Sequence, residues 1–320
     1  MVPFSQRSRI ALVGALLIGG AAGGAAAFRW HEQVQQLRRE QRENQKRRAS
    51  WEELKQQIGR EVRQFHGESA IWIEDLGTGW TVSHQAERLF PAASVVKVPI
   101  MAVCFQAAQQ GKVRLDERIL LHGADRALGS GLLKSAPNGV SFTLEQLIEL
   151  MITRSDNTAA NLIIRRLGFD YLNESFRGMG LTQTRLSRRM MDFSQRKHGV
   201  ENYTTAEDLS LTLRKLYQHQ LVSAEVSGRC LDLLKRQAIN DRIPALLPAG
   251  TVVAHKTGLE KGICHDSGIV FTPAGDLLVC VLTRSRNKTA RPAKKFIARV
   301  ASYAHEYKTR GWAPDSGKAG

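Results

Sequence analysis

Apolar and polar residues alternate near both ends of the chain with the two-residue period of a β-strand. Near the start, Ile71 and Ile73 are followed by the turn sequence Asp-Leu-Gly-Thr-Gly and then by Trp80 and Val82. This pattern predicts two strands joined by a tight turn. Towards the end, the same alternation predicts adjacent antiparallel strands over residues 251–257, 268–272 and 277–283.

Between these ends the apolar residues recur at helical spacing. One helix begins after Thr143, which forms a capping-box pattern with Gln146. A second helix ends at Gly168, because glycine readily adopts the backbone conformation that follows a helix. The helices predicted in this way cover residues 95–104, 144–152, 158–167, 204–217 and 296–307.

Together these elements predict an α+β domain. One antiparallel sheet is formed by both ends of the domain, and a mainly helical part is inserted between them. We expect this domain to span residues 50–307 and to be followed by a disordered tail over residues 308–320. Residues 29–49 are polar and charged, and we interpret them as a basic linker or helix.

The beginning of the chain predicts export. Residues 10–28 carry no charge and follow Arg7 and Arg9. Residues 1–28 are therefore either a signal peptide, cleaved after the small residues 25–27, or an anchor in the inner membrane. The next residues oppose export, because residues 29–48 hold seven basic and three acidic side chains and such charge beside a membrane segment usually stays cytoplasmic. The chemistry described below nevertheless favours a periplasmic or otherwise extracytoplasmic protein.

Composition indicates a globular protein and excludes one class of partner. The chain has 320 residues, 42% of them hydrophobic, and a formal net charge of +16. Residues 1–49 hold nine Lys or Arg and three Glu, a net +6, which leaves +10 spread over the remainder. Because no basic stripe with interleaved aromatic residues stands out, we do not expect a nucleic-acid partner.

The four cysteines give no sign of a metal site. Cys104, Cys230, Cys264 and Cys280 form no C-x-x-C motif and have no metal-like spacing with histidine. We therefore expect neither a metal nor another cofactor. Cys104 lies in an apolar helix, which favours a buried thiol, whereas a disulfide between Cys264 and Cys280 stays open.

Ser94 and Lys97 form the first candidate for chemistry. If a helix opens near Ser94, a spacing of three residues places both side chains on one face, within reach of each other. The residues from Val95 to Cys104 are otherwise apolar, so Lys97 is expected to be buried. Burial disfavours the charged amine and makes Lys97 a usable base for a serine nucleophile.

Two further motifs follow in the chain, Ser-Asp-Asn at residues 155–157 and Lys-Thr-Gly at residues 256–258. With Ser94-x-x-Lys97, these are the motifs of class A β-lactamases and penicillin-binding proteins. The sequence resembles that superfamily over nearly the whole chain after the first fifty or so residues. The resemblance implies a β-lactamase/transpeptidase-like fold and a serine hydrolase that forms an acyl-enzyme. Its substrates would be β-lactams, as in antibiotic resistance, or D-Ala-D-Ala type peptides of peptidoglycan.

Each residue of these motifs suits a step of acyl transfer. Ser155 can relay a proton to the leaving amine, and Asn157 can hold a substrate amide and contact Lys97. Lys256 is a point charge for a substrate carboxylate, assisted by Thr257. Gly258 lets the substrate backbone lie against the strand edge, where a Cβ would intrude.

The resemblance also implies an oxyanion hole. It would consist of the backbone N–H groups of Ser94 and of Leu259, which follows the Lys-Thr-Gly motif.

The chain departs from class A β-lactamases in the loop after the second motif. These enzymes carry there a glutamate that activates the deacylating water, and alignment of the flanking arginine places Met190 at that position. A thioether cannot act as a general base. Asp192 and Glu201 lie nearby, and we interpret both first as surface or loop-fixing carboxylates and second as alternative bases. The sequence therefore predicts acylation with slow deacylation.

Two other functions stay open. The protein could be a penicillin-binding or sensor protein that is acylated without turnover, or a D,D-peptidase that acts on peptidoglycan. A basic structural protein that keeps only the fold is a third alternative, and the intact nucleophile and base argue against it.

Overall fold

The computed structural model describes residues 23–286 and 289–310. The chain divides into two compact units, residues 1–53 and 54–320. Helix α1 (Gly23–Gln64) is the first described element, and its residues 28–49 are almost all exposed. Among the described residues, no helix combines the length and the apolar character needed to cross a membrane. The predicted export segment lies largely in residues 1–22, outside the described residues.

A five-stranded antiparallel sheet is the centre of the second unit. Its order is β2-β1-β9-β8-β7, so β1 from the start of the unit pairs directly with β9 from its end. This pairing confirms the predicted sheet built from both ends. The strands are β1 (Glu68–Asp75), β2 (Thr81–His84), β7 (Val253–Glu260), β8 (Ile263–Val270) and β9 (Leu277–Arg284).

The remaining elements lie between β2 and β7, apart from the last helix. Short strands pair as β3 (Phe90–Pro91) with β6 (Tyr203–Thr204) and β4 (Arg118–Leu120) with β5 (Ser141–Thr143). The helices are α2 (Lys97–Gln109), α3 (Leu144–Thr153), α4 (Asn157–Leu167), α5 (Phe169–Gly178), α6 (Phe193–Lys197), α7 (Ala206–Tyr217), α8 (Ala224–Lys235) and, after the sheet, α9 (Arg291–Thr309).

Helices cover both faces of the sheet. Leu278, Cys280 and Leu282 of β9 belong to the large apolar core that includes α2, α3, α4, α7 and α8. Leu277 and Val279 alternate with these residues along β9 and are just as buried, but they do not belong to that core. They therefore face the other side of the sheet, where α9 packs on β8 and β9. Helix α9 continues two residues beyond Tyr307, and its Lys308 pairs with Asp75.

Local signals explain several helix boundaries. Helix α3 begins with the predicted capping box, in which the Thr143 hydroxyl accepts from Gln146 N–H and the Gln146 side chain accepts from Thr143 N–H. Helix α4 is capped at its start by Asp156, whose carboxylate accepts from Ala159 N–H, and is followed by Gly168, which has a φ of 80°. The start of α4 therefore coincides with the second sequence motif.

Candidate active site

Ser94 lies on a tight 3₁₀ turn, Ala93–Val96, that runs directly into helix α2. Ala93 has a φ of 44°, which is unusual for a residue other than glycine and marks backbone strain beside Ser94. Strand β3 precedes this turn, and the ring of His265 on β8 fixes it. Nδ1 of His265 accepts from Thr283 N–H at 3.0 Å, so Nε2 carries the hydrogen and donates to Pro91 O at 2.8 Å.

His265 is neutral in this position. Burial lowers the pKa of its imidazole to about 4, and both ring nitrogens already have partners. The ring therefore positions the strand that leads to Ser94 without exchanging protons near neutral pH.

Lys97 is completely buried, and its amine points at the second motif. Nζ donates to Ser155 O at 2.7 Å and to Asn157 Oδ1 at 2.7 Å, and it lies 3.5 Å from Ser155 Oγ. Burial lowers the pKa of Lys97 to about 7, against the attraction of the charges on Asp156 and Glu260. A substantial fraction of Lys97 is therefore neutral near physiological pH.

The second motif occupies the connection between α3 and α4. Ser155 has a φ of 54°, a second strained position at the site. The Asp156 carboxylate accepts from Leu132 N–H at 2.6 Å and from Leu133 N–H at 2.9 Å. Asn157 Nδ2 donates to Leu128 O at 2.9 Å. The segment of residues 128–133, here the flanking loop, is thus attached to the motif by side chains of the motif itself.

Glycine is required in the flanking loop where it passes Asp156. Gly131 has a φ of 115°, and a Cβ at this position would lie 2.3 Å from Asp156 Cγ and 2.6 Å from its Cα. No real side chain fits at such a distance, so the glycine allows the loop to approach the second motif.

The third motif lies on β7, one of the two edge strands of the sheet. Lys256 is completely buried, and its Nζ donates to Ser155 Oγ at 2.9 Å and to Thr257 O at 2.9 Å. Burial and the nearby charge of Lys97 hold the pKa of Lys256 well below its usual range. Ser155 Oγ therefore lies between the two lysine amines, and the structure brings Lys97, Ser155, Asn157 and Lys256 together.

Gly258 is where the third motif meets the turn that carries Ser94. A Cβ on Gly258 would lie 3.3 Å from Ala93 Cβ and 3.3 Å from Val95 Cγ1. Strand β7 thus packs directly on the Ser94 turn, with Thr257 buried and Leu259 48% exposed at the end of the strand.

In the loop after the second motif, the carboxylates of Asp192 and Glu201 are both engaged in structural contacts. Asp192 caps the start of helix α6, where its carboxylate accepts from Gln195 N–H and from the Ser194 hydroxyl. Glu201 is buried and forms ion pairs with Arg188 and Arg196. The Met190 side chain is 3% exposed. Asp192 and Glu201 thus have the loop-fixing contacts that we interpreted as their first role.

A model of the beta-lactamase enzyme family matches residues 53–308. The chain belongs to the beta-lactamase enzyme family. It is a serine hydrolase of the β-lactamase type, as the three motifs predict. Enzymes of this family are typically exported.

Relatives with known names and structures cover most of the chain. A Streptomyces albus G β-lactamase is 30% identical over 72% of this chain and 77% of its own length. A Sphaerobacter thermophilus β-lactamase structure is 32% identical, with a TM-score of 0.74, over 81% of this chain and 97% of that one. PBP-A is 30% identical, with a TM-score of 0.75, over 81% of this chain and 96% of that one. A PBP-A mutant has been solved as an acyl-enzyme complex with penicillin G.

Three residues contribute to this β-lactamase-family site although the sequence patterns predicted no role for them. Asn161 contacts the backbone of Met190, and His265 positions β3. Arg242 is 1% exposed, donates from Nε to Cys264 Sγ at 3.3 Å and places Nη1 2.8 Å from Asp241. Its charge also lowers the pKa of Lys256, so a further cation lies near that lysine.

Among the described residues, the cysteines form no disulfide and there is no candidate metal site. All four cysteines are buried free thiols, so Cys264 and Cys280 do not pair. Within residues 23–286 and 289–310, no group of three or more His, Cys, Asp and Glu side chains could hold a metal ion.

Proposed function

We propose that Ser94 is the nucleophile of this enzyme and that neutral Lys97 is its base. The observation that carries the proposal is the hydrogen bonding of the Lys97 amine. A neutral amine has two N–H groups and one lone pair, and two strong acceptors at 2.7 Å, Ser155 O and Asn157 Oδ1, engage both N–H groups. The lone pair is then left to take the proton of the Ser94 hydroxyl.

Acylation follows from this arrangement. The proton of Ser94 Oγ passes to Lys97 Nζ while Oγ attacks the lactam carbonyl carbon. The carbon–nitrogen bond then breaks, and the leaving nitrogen takes the proton of the Ser155 hydroxyl. Ser155 regains a proton from Lys97, 3.5 Å away. The net result is one proton moved from Ser94 to the leaving nitrogen, and both motif residues are restored.

Lys256, Thr257 and Arg242 form the proposed site for the substrate carboxylate. A carboxylate beside Lys256 favours its charged form, because it supplies the countercharge that this buried amine lacks. The charge on Lys256 in turn disfavours protonation of Lys97, since the two amines share Ser155 as a partner. Substrate binding therefore helps to keep the base neutral.

The substrate carbonyl and the acyl amide would be bound by backbone and side-chain groups around Ser94 and the edge of β7. The backbone N–H groups of Ser94 and Leu259 would stabilise the oxyanion, and Asn157 and Gly258 would contact the acyl amide. Deacylation would be slow, because Met190 supplies no base and both Asp192 and Glu201 are engaged in structural contacts.

We further propose that residues 50–307 form the catalytic domain and that residues 1–28 direct its export, with residues 10–28 either cleaved or kept as an inner-membrane anchor. Residues 29–49 would connect the two, and the residues that follow helix α9 would form the tail, because α9 itself includes Lys308 and Thr309.

A second candidate is a penicillin-binding protein or D,D-peptidase with the same acylation chemistry. It is favoured by the thioether at Met190 and by the similarity to PBP-A. Its substrate would be a peptidoglycan peptide that ends in D-Ala-D-Ala.

The test is the intact mass of the full-length protein during incubation with benzylpenicillin. We expect an adduct on the wild type and on Ser83→Ala, a control that removes an exposed serine on strand β2, and no adduct on Ser94→Ala. An adduct that persists for hours supports slow deacylation, and one that decays within minutes contradicts it. An adduct that survives in Ser94→Ala refutes the assignment of the nucleophile.

A further inference from the structure

A groove of about 550 Å³ opens next to the second motif, outside the residues assigned so far. Its apolar wall is formed by Leu132, Phe142 and Leu150. Arg154 and Arg236 also line it, and both residues are exposed. We call it the arginine groove.

The arginine groove is continuous with the catalytic machinery through two short connections. Arg154 immediately precedes Ser155 in the chain. Leu132, which also lines the groove, donates its N–H to the Asp156 carboxylate at 2.6 Å. The groove therefore lies directly beside the second motif, one residue from Ser155 along the chain.

The charge of the groove is positive. Arg236 is neutralised by Glu149, with Nη1 2.6 Å from Oε1. In the part of the chain that the structure describes, no carboxylate forms an ion pair with Arg154. One net positive charge is thus left beside an apolar wall on which Leu132 is 63% exposed.

We propose that the arginine groove binds an acidic arm of the substrate on its leaving-amine side. The inference rests on the proposed function, in which Ser155 protonates the leaving nitrogen. Atoms attached to that nitrogen therefore lie close to Ser155, whose chain neighbour Arg154 lines the groove. The ligand class is an arm with an aromatic or other apolar stem, which packs on Leu132 and Leu150, and a terminal carboxylate, which pairs with Arg154.

The test uses two cephalosporins with the same acyl side chain. Their C3 arms are 4-carboxyphenylthiomethyl and 4-carbamoylphenylthiomethyl, which differ in charge and little in shape. The second-order rate constant for adduct formation on Ser94 is measured by intact mass with the full-length protein. We expect the acid to react about fivefold faster than the amide, as an exposed charge pair allows, and the advantage to shrink as salt is added.

Two matched variants distinguish binding in the arginine groove from attraction by the overall positive charge of the protein. Arg154→Gln should bring the acid-to-amide ratio close to one. Lys235→Gln removes the same charge one residue from Arg236, on a side chain that lies over the Phe271 ring instead of in the groove, and should leave the ratio near fivefold. Equal ratios in the two variants would overturn the inference while acylation by benzylpenicillin still supported the proposed function.

A binding measurement keeps the inference testable if Ser94 is never acylated. In that case 4-(methylthio)benzoate is titrated into leucine-methyl-labelled protein and followed by NMR. Shifts at Leu132 and Leu150 in the wild type that vanish in Arg154→Gln support the groove, even with the proposed function refuted. No shift at these leucines in the wild type overturns the groove.

Discussion

Asn161 holds the backbone of Met190 with both polar atoms of its side-chain amide. The Met190 N–H donates to Asn161 Oδ1 at 2.8 Å, and Asn161 Nδ2 donates to Met190 O at 3.3 Å. Both bonds involve only the backbone of Met190, so they do not depend on which side chain the position carries. Met190 can therefore be replaced while its loop stays attached to helix α4.

Met190→Glu is expected to convert slow deacylation into turnover. A carboxylate at this position would supply the general base that the loop lacks, and such a base contributes about 10²-fold to 10⁴-fold in rate. The decay of the benzylpenicillin adduct, followed by intact mass, should accelerate by about 10²-fold or more. Burial of the new carboxylate should also lower the stability of the folded protein.

Met190→Gln is the matched control for this change. It has nearly the same size and polarity as glutamate and cannot accept a proton at neutral pH. If Met190→Glu deacylates no faster than Met190→Gln, the position does not face the ester.

The acylation rate should depend on pH through Lys97. The pKa of Lys97 is lowered to about 7, and only the neutral amine can take the proton of Ser94. Below pH 7 the second-order rate constant for benzylpenicillin should therefore fall, approaching about tenfold per pH unit, and it should level off above pH 7. Stopped incubations between pH 5 and pH 9, analysed by intact mass, provide the profile.

Lys97→Arg tests the same assignment independently, because a guanidinium stays charged over this whole pH range. Acylation should be lost at every pH. A flat wild-type profile, or an active Lys97→Arg enzyme, would assign the base elsewhere.

Ser155→Ala should slow only those reactions in which the leaving group needs a proton. Benzylpenicillin expels an amine, so its acylation rate should fall by about 10²-fold or more. A thiolester substrate expels a stable thiolate, and its rate should fall by less than about tenfold. Ser130→Ala is the control, because Ser130 contacts Asn157 through its backbone carbonyl. An equal loss for both substrates in Ser155→Ala would indicate a structural role for this hydroxyl.

Gly131→Ala should destabilise the protein more than Gly139→Ala. Both glycines have positive φ angles, so each substitution carries a backbone strain of about 1–3 kcal/mol. Only at Gly131 would the new Cβ collide with Asp156, whereas at Gly139 no atom lies within 4 Å. Urea unfolding should show the additional loss, and Gly131→Ala alone should slow acylation, since the flanking loop must move away from Asp156. Equal stability of the two variants would mean that the loop adapts without cost.

The sequence was sufficient for those parts of the fold that local signals encode. The capping box at Thr143 predicted helix α3, and the alternation around residues 71–82 predicted β1 and β2. Helix α5 was missed because Gly168 was interpreted only as a helix end, whereas the next helix begins at the following residue. Strand β8 was predicted from residue 268 but begins at Ile263, because polar residues interrupt the alternation there.

Those polar residues are buried because distant partners satisfy them. His255 Nδ1 lies 2.9 Å from Asp266 Oδ1, and His265 bonds to Pro91, 174 positions away. Contacts between residues far apart in the chain also explain why the candidate site could be predicted only in part. The spacing of Ser94 and Lys97 is local and could be recognised directly. The contribution of Arg242 exists only in the folded chain and left no pattern in the sequence around it.

The pairing of β1 with β9 has a consequence for how the protein is made. Glu68 and Arg284, which bond across these strands, are separated by 216 positions. When β1 leaves the ribosome, its partner has not been synthesised, so the central sheet cannot close until almost the whole chain is available. Such a high contact order slows folding. Until β9 is available, β1 exposes apolar side chains and an unpaired strand edge. An exported chain meets this condition on the far side of the membrane, where the sheet would be the last part to assemble.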